Sequence, residues 1–335
     1  KLAFLSGNID LAKAESVAEI ISANTESSYN SAREHLIGAY SEHIGMLRNS
    51  LIEIIADVEA SIDYPEDEID PKDKEKLQND LKDIISKIKE LKNSYKGGKI
   101  IQEGYTIAIA GRPNVGKSSL FNLLLKQNRA LVTPTAGTTR DYLTESIELG
   151  GYKVNIVDTA GMRKSGGMIE KEGQKSAQKI IDSADLLLWM FDLSQKNWKS
   201  NLHKDVDKYS KANNILVGNK LDKSTITDSY IEYTAISCKT KKQISVLKKE
   251  ILMRIEATLP DLTSGLVVTS ARHKQKLSGA LQKLKEAEKK LQADETPELT
   301  AFDLRCSINE IDEITGKVYN EDILGKIFSK FCIGK

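Results

Sequence analysis

The sequence has no apolar run near the roughly 18 residues that a membrane-spanning helix needs; the longest, Leu186 to Phe191, is strand-sized. No signal-peptide pattern stands at its start. Cysteine is scarce. Cys238, Cys306 and Cys332 are an odd number, far apart, which fits a reducing cytosol and argues against a disulfide framework. Neither sign of charge predominates: 49 Lys and Arg face 48 Asp and Glu, a net charge of +1. Composition therefore gives no electrostatic case for nucleic-acid or membrane binding. An initiating Met is also lacking. The chain opens on Lys1 inside patterned sequence and is expected to be a fragment whose natural N-terminus is missing.

What is present is globular in character. The 335 residues suit about two domains, and 40% hydrophobic with 29% charged residues leaves room for a buried core. Leu11, Ala14, Val17, Ala18 and Ile21 share one face of a 3.6-residue period, as do Ile44, Leu47, Leu51, Ile54, Ile55, Val58 and Ile62. Tyr64-Pro65 and Asp70-Pro71 interrupt helix, because proline lacks the amide and disfavours helix before it. A third helix sets Leu77, Leu81, Ile84, Ile85, Ile88 and Leu91 on its apolar face, and its alternating charges read as a solvated outer face. Gly97-Gly98 is expected to end it.

The pattern then changes. Tyr105 to Ala110, Tyr142 to Leu149, Val154 to Val157, Leu186 to Phe191, Ile215 to Gly218 and Ile231 to Ile236 are short β-rich runs with helical stretches between several of them. That alternation implies a mainly parallel sheet covered on both faces. After Pro260 helix returns, with Leu277, Leu281, Leu284 and Leu291 on one face, then Ile323, Leu324, Ile327, Phe328 and Phe331. The order is helical, α/β, helical. An α/β domain inserted into a helical domain is the economical reading, with helical halves at 1–98 and 257–335 and the insert at 104–256.

The chemistry is written in four short motifs. Gly111-Arg112-Pro113-Asn114-Val115-Gly116-Lys117-Ser118 follows a predicted strand and opens a predicted helix, the context a phosphate-binding loop requires. Its glycines let amides curl around phosphate oxygens, Lys117 reaches the β- and γ-phosphates, and Ser118 offers a hydroxyl to Mg²⁺. The bare pattern arises by chance in about one such chain in a hundred. The nucleotide-binding set begins here with Asn114, Val115, Gly116, Lys117, Ser118 and Ser119, and Lys117 is also a catalytic candidate.

Asp158-Thr159-Ala160-Gly161 ends the next apolar strand, where the Asp can hold a Mg²⁺-bound water and the Gly amide can meet the γ-phosphate. Gly137-Thr138-Thr139-Arg140-Asp141 lies between the two motifs, in a loop with Thr133, Pro134 and Thr135; Thr139 is assigned to Mg²⁺. Asn219-Lys220-Leu221-Asp222 chooses the base. The Asp222 carboxylate can accept from guanine N1–H and the N2 amino group, whereas adenine offers neither donor there. Asn219 can serve the Hoogsteen edge and the Lys220 stem can cover the ring. Ser237-Cys238-Lys239 supplies a backbone amide for guanine O6, with the Cys238 side chain read as a small apolar spacer. These motifs together give an α/β P-loop GTPase domain of the Ras-like kind. The position that holds a water-orienting Gln in many small GTPases is Met162, so hydrolysis must recruit another group; Glu170 and Glu172 are both available on spacing alone.

Several further stretches resemble the MnmE (TrmE) family of tRNA-uridine-modification GTPases. Ala3 through Leu11 with Ala14-Glu15-Ser16-Val17 looks like the opening of the family's helical domain, Val58 through Glu66 is similar to another signature, and Phe331-Cys332-Ile333-Gly334-Lys335 is like its C-x-G-K terminus. The resemblance implies a homodimeric, cytoplasmic GTPase dependent on Mg²⁺ and K⁺, with G domains that pair across the nucleotide when K⁺ binds. It implies action with the flavoprotein MnmG (GidA) on the wobble uridine of certain tRNAs, adding a carboxymethylaminomethyl group. By match to the family, Asn114 ligates K⁺, with Thr133, Thr135 and Thr138 in the loop that wraps it, and Glu170 is the catalytic carboxylate. The family's N-terminal domain, which binds formyl-tetrahydrofolate, is expected to lie outside this sequence; Lys335 matches the C-terminal lysine of that folate site, and Asn8 stands where relatives carry Lys or Arg. Two other readings compete. Ribosome-assembly GTPases of the Era or Der type share the phosphate loop, but they append an RNA-binding domain or a second G domain. A scaffold that binds GTP without turnover is disfavoured by intact Lys117, Ser118, Thr139 and Asp158.

Overall fold

The computed structural model describes residues 1–63, 71–127, 144–158, 178–210, 213–224, 232–259, 267–293 and 295–319, with Leu324 and Ile327. The chain divides into two compact units, one formed by Lys1–Gln102 with Leu259–Lys335 and the other by Glu103–Thr258.

The first half of the helical unit runs α1 (Leu2–Leu5), α2 (Leu11–Ser22), α3 (Glu26–Ile37), α4 (Ala39–Asp63), α5 (Pro71–Asn93) and α6 (Tyr95–Glu103). Local signals start these helices. Asp10 accepts from the Lys13 amide at 2.8 Å and caps α2, and Thr25 with Ser28 forms a capping box on α3. Gly97 and Gly98 do not end a helix, contrary to the sequence expectation; α6 runs through them. A Cβ at Gly98 would lie 2.1 Å from the carbonyl oxygen of Val268, so the glycine is there for close backbone approach.

The second unit carries a six-stranded sheet in the order β2-β3-β1-β4-β5-β6. Its strands are β1 (Tyr105–Gly111), β2 (Thr144–Leu149), β3 (Tyr152–Asp158), β4 (Leu186–Asp192), β5 (Asn214–Asn219) and β6 (Thr234–Ala235). All neighbours pair in parallel except β2 with β3. β4 is buried along its whole length, which is why its sequence reads as an unbroken apolar run, the mark of a central parallel strand. Among the described residues, the last strand is shorter than its β-rich sequence suggests, pairing with β5 at Thr234 and Ala235. Helices α7 (Lys117–Gln127), α8 (Trp198–Lys204), α9 (Val206–Tyr209) and α10 (Ile244–Glu256) belong to this unit.

The chain then completes the helical unit with α11 (Ala271–Gln292) and α12 (Pro297–Thr315). Leu47, Leu51, Leu81, Ile88, Leu277, Leu284, Leu304 and Ile311 form its core, so residues from both ends of the sequence share one apolar interior. Leu324 joins Phe4 and Leu11 in a smaller cluster. On α2 the buried line differs from the apolar stripe in the sequence: Ile21 is 74% exposed, while Glu15 and Glu19 face the bundle. Glu15 pairs with Arg272 and His273, and Glu19 accepts from Thr269, while Leu11 and Ala14 of the stripe stay buried, so only its C-terminal end turns outward.

Candidate functional site

The phosphate-loop motif occupies the turn between β1 and α7. At Gly111 the strands run so close that a Cβ would lie 2.2 Å from the carbonyl oxygen of Met190 on β4. Because α7 begins at Lys117, the loop leads into a helix N-terminus, where unpaired amides and the helix dipole favour an anion. Lys117 is buried, and its Nζ donates to the carbonyls of Gly111 at 3.0 Å and Arg112 at 2.8 Å. Asn114 is exposed at the outer bend, with φ +64°. Ser118 Oγ donates to Asp158 Oδ2 at 2.8 Å, bringing a hydroxyl at the start of α7 and a buried carboxylate at the end of β3 together.

The Asn219-Lys220-Leu221-Asp222 motif is attached to this loop directly. Asn219 Nδ2 donates to the Val115 carbonyl at 2.8 Å, and its Oδ1 accepts from the Cys238 amide at 3.1 Å. One buried side chain thus ties the phosphate loop, the end of β5 and the Ser237-Cys238-Lys239 stretch. A side chain at Gly116 would collide with it, since a Cβ there falls 2.2 Å from Asn219 Nδ2. Asp222 accepts from Ser237 Oγ at 2.6 Å, and that bond holds its pKa below the ordinary value, so the carboxylate stays ionised. Ser237 is fully buried and also accepts from the Thr240 amide.

Lys220 adopts the left-handed conformation and donates through Nζ to Asp192 Oδ2 at 2.6 Å. Asp192 also accepts from the amide and hydroxyl of Ser194. Burial would raise the Asp192 pKa, but these donors outweigh it and leave the carboxyl below its ordinary value. Burial pushes the Cys238 thiol up to about 11, so the side chain is an unreactive filler, while its backbone amide is the group that bonds, to Asn219 Oδ1. Ser119 and Lys239 are exposed.

Sequence reasoning missed three participants. Asp192 closes an apolar strand and reads as its polar end; Arg112 is only a variable letter of the loop motif; Asp205, its partner, carries no motif at all. Thr133, Thr135, Thr138, Thr139, Thr159, Ala160, Gly161, Met162, Glu170, Glu172, Cys332 and Lys335 lie outside the described residues. Among the described residues, no group of three or more His, Cys, Asp or Glu could hold a metal ion, and no helix is long and apolar enough to cross a membrane. The Ser118–Asp158 pair does fit Mg²⁺, which prefers hard oxygen donors and keeps part of its water shell.

The family model described as "MnmE helical domain" matches residues 11–332. The "tRNA modification GTPase MnmE" of Aquifex aeolicus is 39% identical over 340 residues, covering 100% of this chain and 75% of that protein. This chain belongs to the MnmE family. MnmE of Coxiella burnetii is 38% identical over 342 residues, and MnmE of Akkermansia muciniphila 37% over 337, so the likeness to MnmE runs through both units. The G domain of the T. maritima FeoB iron transporter aligns with 45% of this chain and 98% of its own length at 23% identity and a TM-score of 0.33, a likeness too slight to bear on function.

Proposed function

We propose that this chain is a Mg²⁺-dependent, K⁺-stimulated GTP hydrolase that works with a flavoprotein partner of the MnmG (GidA) kind to place a carboxymethylaminomethyl group on the wobble uridine of certain tRNAs. In its coarser form the activity goes with the family: the relatives are tRNA modification GTPases, and this chain is one. The finer reading adds a homodimer whose G domains pair when K⁺ binds, cytoplasmic location, and formyl-tetrahydrofolate as the one-carbon source in the full-length protein, held in part by Lys335.

The observation that carries the nucleotide reading is the Asn219–Val115 hydrogen bond. It sets the base-choosing motif beside the phosphate-binding loop, so one molecule with a purine at one end and phosphates at the other can satisfy both. Asp222 would accept the two Watson–Crick-edge donors of guanine, and Ser237 already holds that carboxylate ionised and in place. Amides between Gly111 and Ser118, with Lys117, would receive the phosphates. Thr159, Ala160 and Gly161 would line the γ-phosphate.

Ser118 and Thr139 would ligate Mg²⁺, with Asp158 holding one of its waters; the ion supplies charge neutralisation on the phosphates. Asn114, exposed at the bend of the loop, would ligate K⁺ together with Thr133, Thr135 and Thr138, and that cation supplies the positive charge an arginine finger provides elsewhere. Met162 cannot orient water, so Glu170 is assigned that part. Hydrolysis measured in KCl and in NaCl at matched ionic strength tests the reading, and Glu170→Ala tests the assignment. Faster turnover in KCl and a Glu170→Ala protein that binds GTP but no longer hydrolyses it are expected. Equal slow rates in both salts would remove the cation; undiminished turnover in the variant would remove Glu170.

A further inference from the structure

The phosphate loop is gripped from outside its motif. Arg112 donates through Nε to Asp205 Oδ2 at 2.7 Å, through Nη2 to Asp205 Oδ1 at 3.2 Å, through Nη1 to Asn201 Oδ1 at 2.8 Å, and through Nη2 to the Asn201 carbonyl at 3.2 Å. Asn201 lies on α8 and Asp205 caps its C-terminus. The carboxylate is buried, whereas the arginine side chain is 41% exposed. The same Arg112 offers its carbonyl to Lys117 Nζ at 2.8 Å. Val115 is anchored separately by Asn219. Only Pro113 and Asn114 therefore lie between two fixed residues, and Asn114 holds a positive φ there.

We propose that Asp205 and Asn201 are positioning residues of the nucleotide site: by holding the Arg112 side chain they fix the Arg112 carbonyl, the Lys117 ammonium it receives, and the Pro113–Asn114 arch. This rests on the reading of the loop as a nucleotide cradle. The alternative is that Arg112 merely fastens α8 to the unit. That helix does not need it. Trp198 and Leu202 are buried, and Trp198 stacks on Phe191 with ring centroids 5.1 Å apart, so apolar contacts already seat α8. The half-exposed guanidinium is the freer partner, and the clamp orders the loop more than the helix. A planar fork bonded to both oxygens of one carboxylate fixes direction as well as distance, which a lysine at the same place would not do.

The test is titration of the full chain with fluorescent GDP and GTP analogues, alongside thermal melts. Asp205→Asn keeps the shape and removes the charge; both nucleotides are expected to bind about tenfold more weakly, with little change in melting temperature, since misplacing a binding group by a fraction of an ångström is enough. Arg112→Lys is expected to match it, and the double variant to be no worse than either alone, because the two act as one unit. Wild-type affinity in both single variants, or penalties that add, would overturn the proposal, as would a fall in melting temperature with affinity unchanged. Should Asp205→Asn not fold, Asn201→Ala leaves the Arg112–Asp205 pair and removes the side-chain bonds of Asn201 to Arg112 and to Gln195. It is expected to weaken both nucleotides a few-fold by losing one charge-assisted hydrogen bond to Arg112, and unchanged binding there overturns the proposal too. A wild-type chain that prefers ATP refutes the guanine reading yet leaves the ratio of variant to wild type as a valid test, while a chain that binds no nucleotide refutes both.

Discussion

Asn219 donates to the carbonyl of Val115 across 104 residues of sequence, and its other amide atom accepts from Cys238. Asn219→Ala leaves a carbonyl and an amide unpaired at a buried position, each costing about 1–3 kcal/mol. Both GTP and GDP are expected to bind at least tenfold more weakly, roughly the effect of one lost buried hydrogen bond. Urea denaturation and calorimetric titration measure the two effects. Wild-type affinity in a folded variant would show that the joint is not part of the binding site.

Asp222 is expected to decide the base. Its ionised carboxylate, held by Ser237, matches two donors on guanine; a side-chain amide at the same position would present one donor and one acceptor. Asp222→Asn should therefore weaken GTP by about a hundredfold, as a site does when its designed hydrogen bonds are mismatched. It should gain affinity for xanthosine triphosphate, whose C2 carbonyl accepts where guanine donates. Competition between the two nucleotides on the variant measures this. An unchanged preference for GTP would refute the assignment of Asp222. Ser237→Ala should give a smaller loss of the same kind, since it only frees the carboxylate to turn.

Much of the fold was legible because the relevant signals are local. A fully buried parallel strand shows as Leu186 to Phe191, and the phosphate loop announces itself between a strand and a helix. What stayed hidden depends on distant partners. Nothing near Gly98 in sequence indicates that Val268 will pack on it, and Arg112 gives no sign of Asp205, 93 residues on. Helix α12 does carry an apolar period in the sequence, Ala301, Leu304, Ile308 and Ile311, but its buried face also includes Thr300, Asp303, Ser307 and Asp312; Lys290 reaches Asp303 at 2.6 Å and Arg48 pairs with Asp312, so those charges are matched only in three dimensions. The same holds at the site, where motif residues could be placed but the side chains that hold them, Asp192 and Asp205, could not.

Acid should unfold the helical unit early. His35 lies under Tyr40 and donates to the Val267 carbonyl; burial first, then the nearby His273, lower its pKa from 6.5 to about 4. Glu15 is lowered from 4.5 to about 2, because His273 and Arg272 outweigh the burial that would raise it. Glu19 and Tyr40 complete the buried set. Between each folded value and its ordinary one the unfolded chain binds the extra proton, so stability rises with pH there. It is fully present above 6.5, falls as pH drops toward 4 through His35, and falls again from 4.5 toward 2 through Glu15. The His35 part is on the order of 3 kcal/mol. Urea midpoints followed across this range measure it, and His35→Gln, which keeps a donor for Val267 but cannot titrate, should flatten the upper portion. A variant with the wild-type slope would show that another group titrates.

Two mid-helix glycines make opposite predictions for the same substitution. Replacing an interior helical glycine with alanine ordinarily stabilises by about 0.5–1 kcal/mol, because the unfolded chain loses freedom. Gly45 on α4 has nothing within 4 Å of where its Cβ would stand, so Gly45→Ala should show that gain. At Gly98 the new atom would fall 2.1 Å from the Val268 carbonyl oxygen and 2.8 Å from Val267 Cγ1. A backbone oxygen cannot swing aside as a side chain can, and Val268 is further held by its amide, which donates to Ser94 Oγ at 3.0 Å. Overpacking of this kind costs about 1–3 kcal/mol, enough to cancel the helix gain and reverse its sign. Urea midpoints of the two variants against the parent chain should move in opposite directions. A stabilising Gly98→Ala would mean that α6 and the Val267–Val268 segment are not packed against each other as described.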